Sequence, residues 1–176
     1  MKEDGEKKVN ASLYRSLVGS LLYLTATRPD IMFAASFLSR FMQSPSQMNF
    51  GAAKRRRRYL QGTIGYRIWY NYSSDFKLVG YSDSDWAGSA DAMRSTSGYS
   101  FSLGSGVFSW ASTKQQTVAQ SSAEAEYVAA SMATSQAIWL RIILEDVGQS
   151  QEEETERFCD NKYKSAIGKK KVCHTQ

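Results

Sequence analysis

The segment that most limits the possible folds is 121–148, one uninterrupted helical stretch with strand-like runs on both sides of it. Before it come short aromatic and β-branched runs at 66–70, 78–82, 98–103 and 107–111, separated by Ser, Asp and Gly. After it, the acidic stretch 149–156 leads as a loop into a short run at 155–160. A strand, a crossover helix and a second strand in one sheet make the two strands parallel, with a right-handed connection. The strand carrying Asp83 and the strand ending at Asp160 are therefore expected to be neighbours. Gly104-Ser105-Gly106 is short enough to join the last two earlier runs as a hairpin. The expected fold class is α/β, with a mixed sheet of three antiparallel strands, a crossover helix and a parallel fourth strand.

Upstream the periodicity is helical. Leu13, Leu17, Leu21 and Leu24 recur at helical spacing until Thr27-Arg28-Pro29-Asp30 interrupts them, and Ile31, Ala35, Leu38 and Met42 form a second stripe over 30–43. Ser44 as N-cap, Pro45 at the first helical position and Gln47 predict a third helix, with Gly62 as its stop. On that helix Met48, Ala52, Arg56 and Tyr59 should share a face, so the run Arg55-Arg56-Arg57-Arg58 puts a guanidinium where an apolar side chain is expected. A snorkelling or solvated basic face explains this, and a nucleic-acid contact is the sharper alternative. The chain thus reads as a charged flexible start (1–10), a helical part with one short strand (11–76) and a sheet domain (77–176).

A net charge of +5 makes a polyanionic partner plausible. The first eight residues carry both signs and no apolar core, unlike a secretory signal, and the apolar stretches 17–24 and 31–41 are too short for a bilayer, so an intracellular, cytoplasmic, non-membrane protein is expected. Cys159 and Cys173 lie beside Asp160 and His174, but two distant thiols and one histidine match no zinc pattern, and reduced thiols are expected.

Three acidic segments carry the chemistry: Tyr81-Ser82-Asp83-Ser84-Asp85-Trp86, Ala123-Glu124-Ala125-Glu126-Tyr127 and Phe158-Cys159-Asp160-Asn161. A hard divalent cation takes oxygen ligands and keeps waters, so carboxylates on rigid elements could hold one with room left for a phosphate. Within each pair a choice is needed. Asp83 and Asp85 share one strand face, while Glu124 and Glu126 lie about 200° apart on a helix. Glu124 is already the third residue of a capping box begun by Ser121, and Glu126 has no such local explanation. Asp85 could instead be a turn acid beside Trp86-Ala87-Gly88. From the residues alone, a metal site and an ordinary acidic rim both stay open.

Together with Tyr14-Arg15-Ser16-Leu17-Val18-Gly19-Ser20-Leu21-Leu22-Tyr23-Leu24, Thr27-Arg28-Pro29-Asp30-Ile31, Tyr81-Ser82-Asp83-Ser84-Asp85-Trp86-Ala87-Gly88, Arg94-Ser95-Thr96-Ser97-Gly98-Tyr99 and Ala123-Glu124-Ala125-Glu126-Tyr127, the chain after Val9 strongly resembles the end of a copia-type retrotransposon Pol polyprotein. The resemblance implies that residues to about Tyr70 are the tail of a reverse transcriptase and that those from about Leu78 are a ribonuclease H domain. Such a domain hydrolyses the RNA strand of an RNA/DNA hybrid with two Mg²⁺ (or Mn²⁺) ions on four carboxylates. Asp83, Glu126 and Asp160 match three of these as catalytic metal ligands. Arg94, Ser95, Thr96, Lys114 and Asn161 are the expected nucleic-acid contacts, and the other polyprotein segments, assembled in a virus-like particle, the expected partners.

The family pattern continues beyond Val172-Cys173-His174, so a fourth carboxylate, a further strand and a C-terminal helix are expected to be missing, with one sheet edge open. Arg56 and Arg57 stand where the family is usually apolar, and Lys170-Lys171 where it commonly has Asn-Pro. The paired aspartates of a polymerase site do not occur in the first 76 residues, and integrase and protease segments are absent. Two further readings remain. One is a non-catalytic nucleic-acid-binding fragment with Arg55 to Arg58, Arg94, Lys114 and Lys169 to Lys171 on phosphates, and the other is a degenerate remnant. Trp86, Tyr99, Phe101, Phe108 and Trp110 are expected to pack the core or hairpin rather than stack on bases.

Overall fold

The computed structural model describes residues 9–72, 76–88 and 93–159. It divides into two compact units, Met1–Ile68 and Trp69–Gln176.

The first unit contains α1 (Ala11–Leu24), a 3₁₀ turn (Pro29–Ile31), α2 (Met32–Ser39) and α3 (Gln47–Gly62). Asn10 caps α1, its side-chain oxygen accepting the backbone N–H groups of Ser12 and Leu13 at 3.0 and 3.1 Å. The core joins Tyr14, Val18 and Leu21 to Ala35, Leu38 and Ala53. The α1 stripe is therefore rotated from the expected one, with Leu13 55% exposed. Tyr14 takes the inward position because its ring fills the core and its buried hydroxyl donates to the Leu38 carbonyl at 2.8 Å. The second stripe holds, with Ile31, Ala35 and Leu38 buried, but it is divided between the 3₁₀ turn and an eight-residue helix.

Two features of α3 differ from expectation. Its cap is Ser46, whose hydroxyl accepts the Asn49 N–H at 3.2 Å, not Ser44; Pro45 precedes the cap. Its core side runs through Phe50, Ala53 and Leu60, while Met48 is 83% exposed, so the face through Met48 and Ala52 points outward and Arg56 is half-buried. A capping serine is decided by which residue starts the hydrogen-bonded turn, and three serine-rich residues in a row offer two candidates.

The second unit is a four-stranded sheet in the order β3-β2-β1-β4, built from β1 (Leu78–Asp85), β2 (Thr96–Leu103), β3 (Gly106–Lys114) and β4 (Glu156–Cys159). β1 pairs antiparallel with β2 and parallel with β4, and β2 pairs antiparallel with β3. The crossover is α4 (Ser122–Asp146), which lays Ala133, Ala137, Leu140 and Leu144 on Leu78 and Phe101. Its buried stripe is largely alanine, so helix and sheet approach closely. By length and composition α4 could also cross a bilayer, but here this stripe is part of the sheet's core.

Gly80 serves the same close packing. It pairs with Phe101, and a Cβ there would meet the ring at 2.5 Å. The strand expected at 66–70 is not formed. Those residues are irregular, and Tyr70 instead packs on the hairpin end, its hydroxyl donating to the Val107 carbonyl at 2.7 Å.

Candidate metal and nucleic-acid site

β1 alternates. Leu78, Gly80 and Ser82 are buried beneath α4, and Tyr81, Asp83 and Asp85 project to the other face. Asp83 is exposed near the C-terminal end of the strand, opposite Gly98, beyond an exposed aromatic pair in which Tyr81 and Phe158 stack at 5.5 Å. The carboxyl ends of parallel strands are where open α/β sheets present ligand-binding groups.

Asp85, two residues on, is committed to structure. Its carboxylate accepts the Thr96 backbone N–H and lies so close to Gly88 that a Cβ there would overlap it. Ala87, at a positive φ of 52°, donates its N–H to the Ser95 hydroxyl at 3.1 Å, and the Trp86 indole donates to the Ala119 carbonyl at 3.1 Å. The acidic and serine-threonine motifs, distant in sequence, thus form one latch. Ser95 is fully buried and Thr96 is 6% exposed, so these two expected nucleic-acid contacts face the interior. Arg94 is exposed and Lys114 half-buried. Asn161 lies outside the described residues.

The two glutamates separate as their positions suggest. The Ser121 hydroxyl accepts the Glu124 N–H at 3.2 Å, and the Glu124 carboxylate reaches back to the Gln120 N–H at 2.7 Å. Glu126 stands half-buried at the edge of the packed stripe, one residue after buried Ala125.

Gln115 links this helix end to the sheet, a role that sequence reasoning missed. Buried at 5% exposure, its amide nitrogen donates to the Ser97 hydroxyl at 2.8 Å and to the Ala125 carbonyl at 2.7 Å. Ser97 pairs with Ser84, the neighbour of Asp83, so the first turns of α4 are tied to the end of β1 that carries Asp83. The side chains nevertheless start from different sides, Asp83 from the sheet face away from α4 and Glu126 from α4 itself. Only the Gln-Gln pair after Lys114, at the end of a strand and before a capped helix, could have pointed to this link in the sequence.

Asp160 lies outside the described residues, as do Cys173 and His174. Cys159, the residue before Asp160, pairs with Ser82, the residue before Asp83, and its sulfur is 3.2 Å from the Ser82 hydroxyl. Among the described residues no group of three His, Cys, Asp or Glu side chains gathers as a metal centre. The donor types at Asp83 and Glu126 do fit a hard divalent cation: both are carboxylates, and the Asp83 carboxylate is exposed to solvent, unlike those of Asp85 and Glu124, which backbone N–H groups occupy.

No protein-family model matches the chain, and no solved structure matches it. Among curated proteins, the secreted RxLR effector protein 161 of Plasmopara viticola is 49% identical over 130 residues, 73% of this chain and 92% of that protein. The retrovirus-related Pol polyprotein from transposon RE1 of Arabidopsis thaliana is 41% identical over 157 residues, 89% of this chain. That from transposon TNT 1-94 of Nicotiana tabacum is 39% identical over 164 residues, 93% of this chain. The chain spans 11% and 12% of the length of these two polyproteins.

Proposed function

Because the chain belongs to the copia-type retrotransposon Pol polyprotein family, we propose that its sheet unit is a ribonuclease H-type module that, with other segments of such a polyprotein, hydrolyses the RNA strand of RNA/DNA hybrids. The observation that carries this reading is the topology around β1. The strand bearing Asp83 is flanked by a parallel strand whose next residue is Asp160, and the crossover between them bears Glu126 near the same strand end.

In this reading Asp83, Glu126 and Asp160 would hold Mg²⁺ or Mn²⁺. The ion, when bound, would lower the pKa of a water and neutralise charge on a phosphodiester. The chain's own groups supply oxygen donors and hold them in place. Gln115 fixes the turn that carries Glu126, and the Asp85 latch fixes the end of β1 after Asp83. Arg94 and Lys114 offer charge to the backbone of the hybrid.

The test is incubation of the chain with a labelled RNA/DNA hybrid and Mg²⁺ or Mn²⁺, beside Asp83→Asn and Glu126→Gln. The expected result is RNA-strand cleavage that falls at least about 100-fold in either variant, since each removes an ionised metal ligand. Cleavage undiminished in Asp83→Asn would remove the assignment.

A second reading has its own support. The effector-like relative is covered over 92% of its length, so a protein of nearly this extent occurs outside a polyprotein. A non-catalytic fragment accounts for that, and it requires hybrid binding with no metal-dependent cleavage.

A further inference from the structure

Residues 9–68 contain nine Lys and Arg and a single acid, Asp30, whereas residues 69–176 contain ten against thirteen acids. Asp30 is already taken by Arg28, at 2.7 Å. Among residues 9–68 there is no second acid to set against the five cations Lys54 to Arg58, which follow one another on α3. Like charges three and four apart on a helix repel each other, and an external polyanion relieves that repulsion.

The arrangement on the helix gives the run a direction. At about 100° per residue, Met48, Gly51, Ala52, Arg55 and Arg58 fall on the side opposite the Phe50, Ala53 and Leu60 core stripe. They line a shallow depression of about 410 Å³, in which the two guanidinium-bearing residues stand beside the small Gly51 and Ala52. Small residues let another backbone come close, and guanidinium groups suit phosphate oxygens geometrically. Arg56, by contrast, is half-buried over the Tyr59 ring, 5.5 Å from its centroid.

We infer that this outer face of α3 is a docking surface for the sugar-phosphate backbone of a nucleic-acid duplex, read by charge and without base contacts. A single strand fits less well, because such sites supply aromatic stacking platforms. Tyr59 is engaged instead by Asp30, to which its hydroxyl donates at 2.9 Å. An anionic membrane also fits less well, because interfacial helices insert apolar residues beside their basic ones, and on this face Met48 is the large apolar side chain exposed. The surface does not depend on the carboxylates of the sheet unit.

The test is fluorescence anisotropy of the full chain with a labelled RNA/DNA hybrid in EDTA over a series of NaCl concentrations, so that cleavage plays no part. Expected is salt-sensitive binding whose log–log slope flattens by about 1.8 in Arg55→Gln/Arg58→Gln, two lost phosphate contacts at about 0.9 each. Affinity at low salt should drop at least about tenfold, and Arg55→Lys/Arg58→Lys should recover most of the slope. Because EDTA removes the divalent ions that cleavage needs, the binding read here stands apart from the catalytic proposal, and its failure is distinguishable from loss of cleavage. Far-UV circular dichroism checks that the double variants keep their helices. An unchanged slope and affinity in the Gln variant, or binding to phosphatidylserine vesicles but not to the hybrid, overturns the inference.

Discussion

At Arg28 one side chain gathers much of the order of the helical unit. Its guanidinium donates to both oxygens of Asp30, at 2.8 and 2.7 Å, and to the Thr63 carbonyl and hydroxyl, at 3.1 and 2.8 Å. It also lies 5.9 Å from the ring centroids of Tyr59 and Tyr66. The Thr27-Arg28-Pro29-Asp30 segment, legible in the sequence as a helix breaker, thus also fastens the 3₁₀ turn to the end of α3. Nothing in the local pattern names Thr63 or Tyr59 as partners, because they are about thirty residues away. Arg28→Ala should destabilise the helical unit by about 2–3 kcal/mol in urea unfolding, since it leaves a carboxylate without its bidentate partner.

The same contacts fix a pH dependence. Arg28 foremost, with Tyr59, holds the Asp30 carboxyl below the ordinary aspartate value of 3.8, against the opposing effect of burial. With a depressed folded-state value the unfolded chain takes up the proton first. The contribution is therefore complete above pH 3.8 and is lost as the pH falls through the lower folded value. Asp30→Asn should be less stable at neutral pH and should lose that part of the acid-induced decline, measured as unfolding free energy against pH. At Gln115, replacement by Met should lower the stability of the sheet unit by about 1–3 kcal/mol, because the Ser97 hydroxyl and Ala125 carbonyl lose a buried donor.

Among the elements, α4 was the most legible. Its capping box, its length and its stop were all written locally, and Ser121→Ala should cost about 1 kcal/mol in thermal unfolding. β1 was legible as a strand, but its extent was not. The structure carries it to Asp85, because pairing with Thr96 through the Asp85 carboxylate extends the ladder beyond the last hydrophobic residue. Gly80 takes its meaning from Phe101, which lies directly across from it. Gly80→Val should destabilise the sheet by about 1–3 kcal/mol, as the fully buried ring has no free space to move into. α1 shows the limit of periodicity. The expected stripe began at Leu13, and packing against α2 and α3 turned Tyr14 and Val18 inward with Leu21 instead.

For the whole molecule, the two hydrophobic clusters share no residue, one built from α1, α2 and α3 and the other from the sheet and α4. Leu38→Ala and Leu140→Ala should each cost about 2–5 kcal/mol, and in combination their effects should add within about 0.5 kcal/mol.

What the sequence determined by itself was local and periodic: four helices, a hairpin and a crossover between parallel strands. Those follow from caps, glycines and hydrophobic spacing, which act within a few residues. What the tertiary structure decided was which polar groups are spent. Asp85, Glu124, Ser95 and Thr96 give their oxygens or N–H groups to backbone partners or to burial, and Asp83 remains open to solvent. Buried polar groups must find partners wherever the fold brings them, and those partners lie up to tens of residues away along the chain.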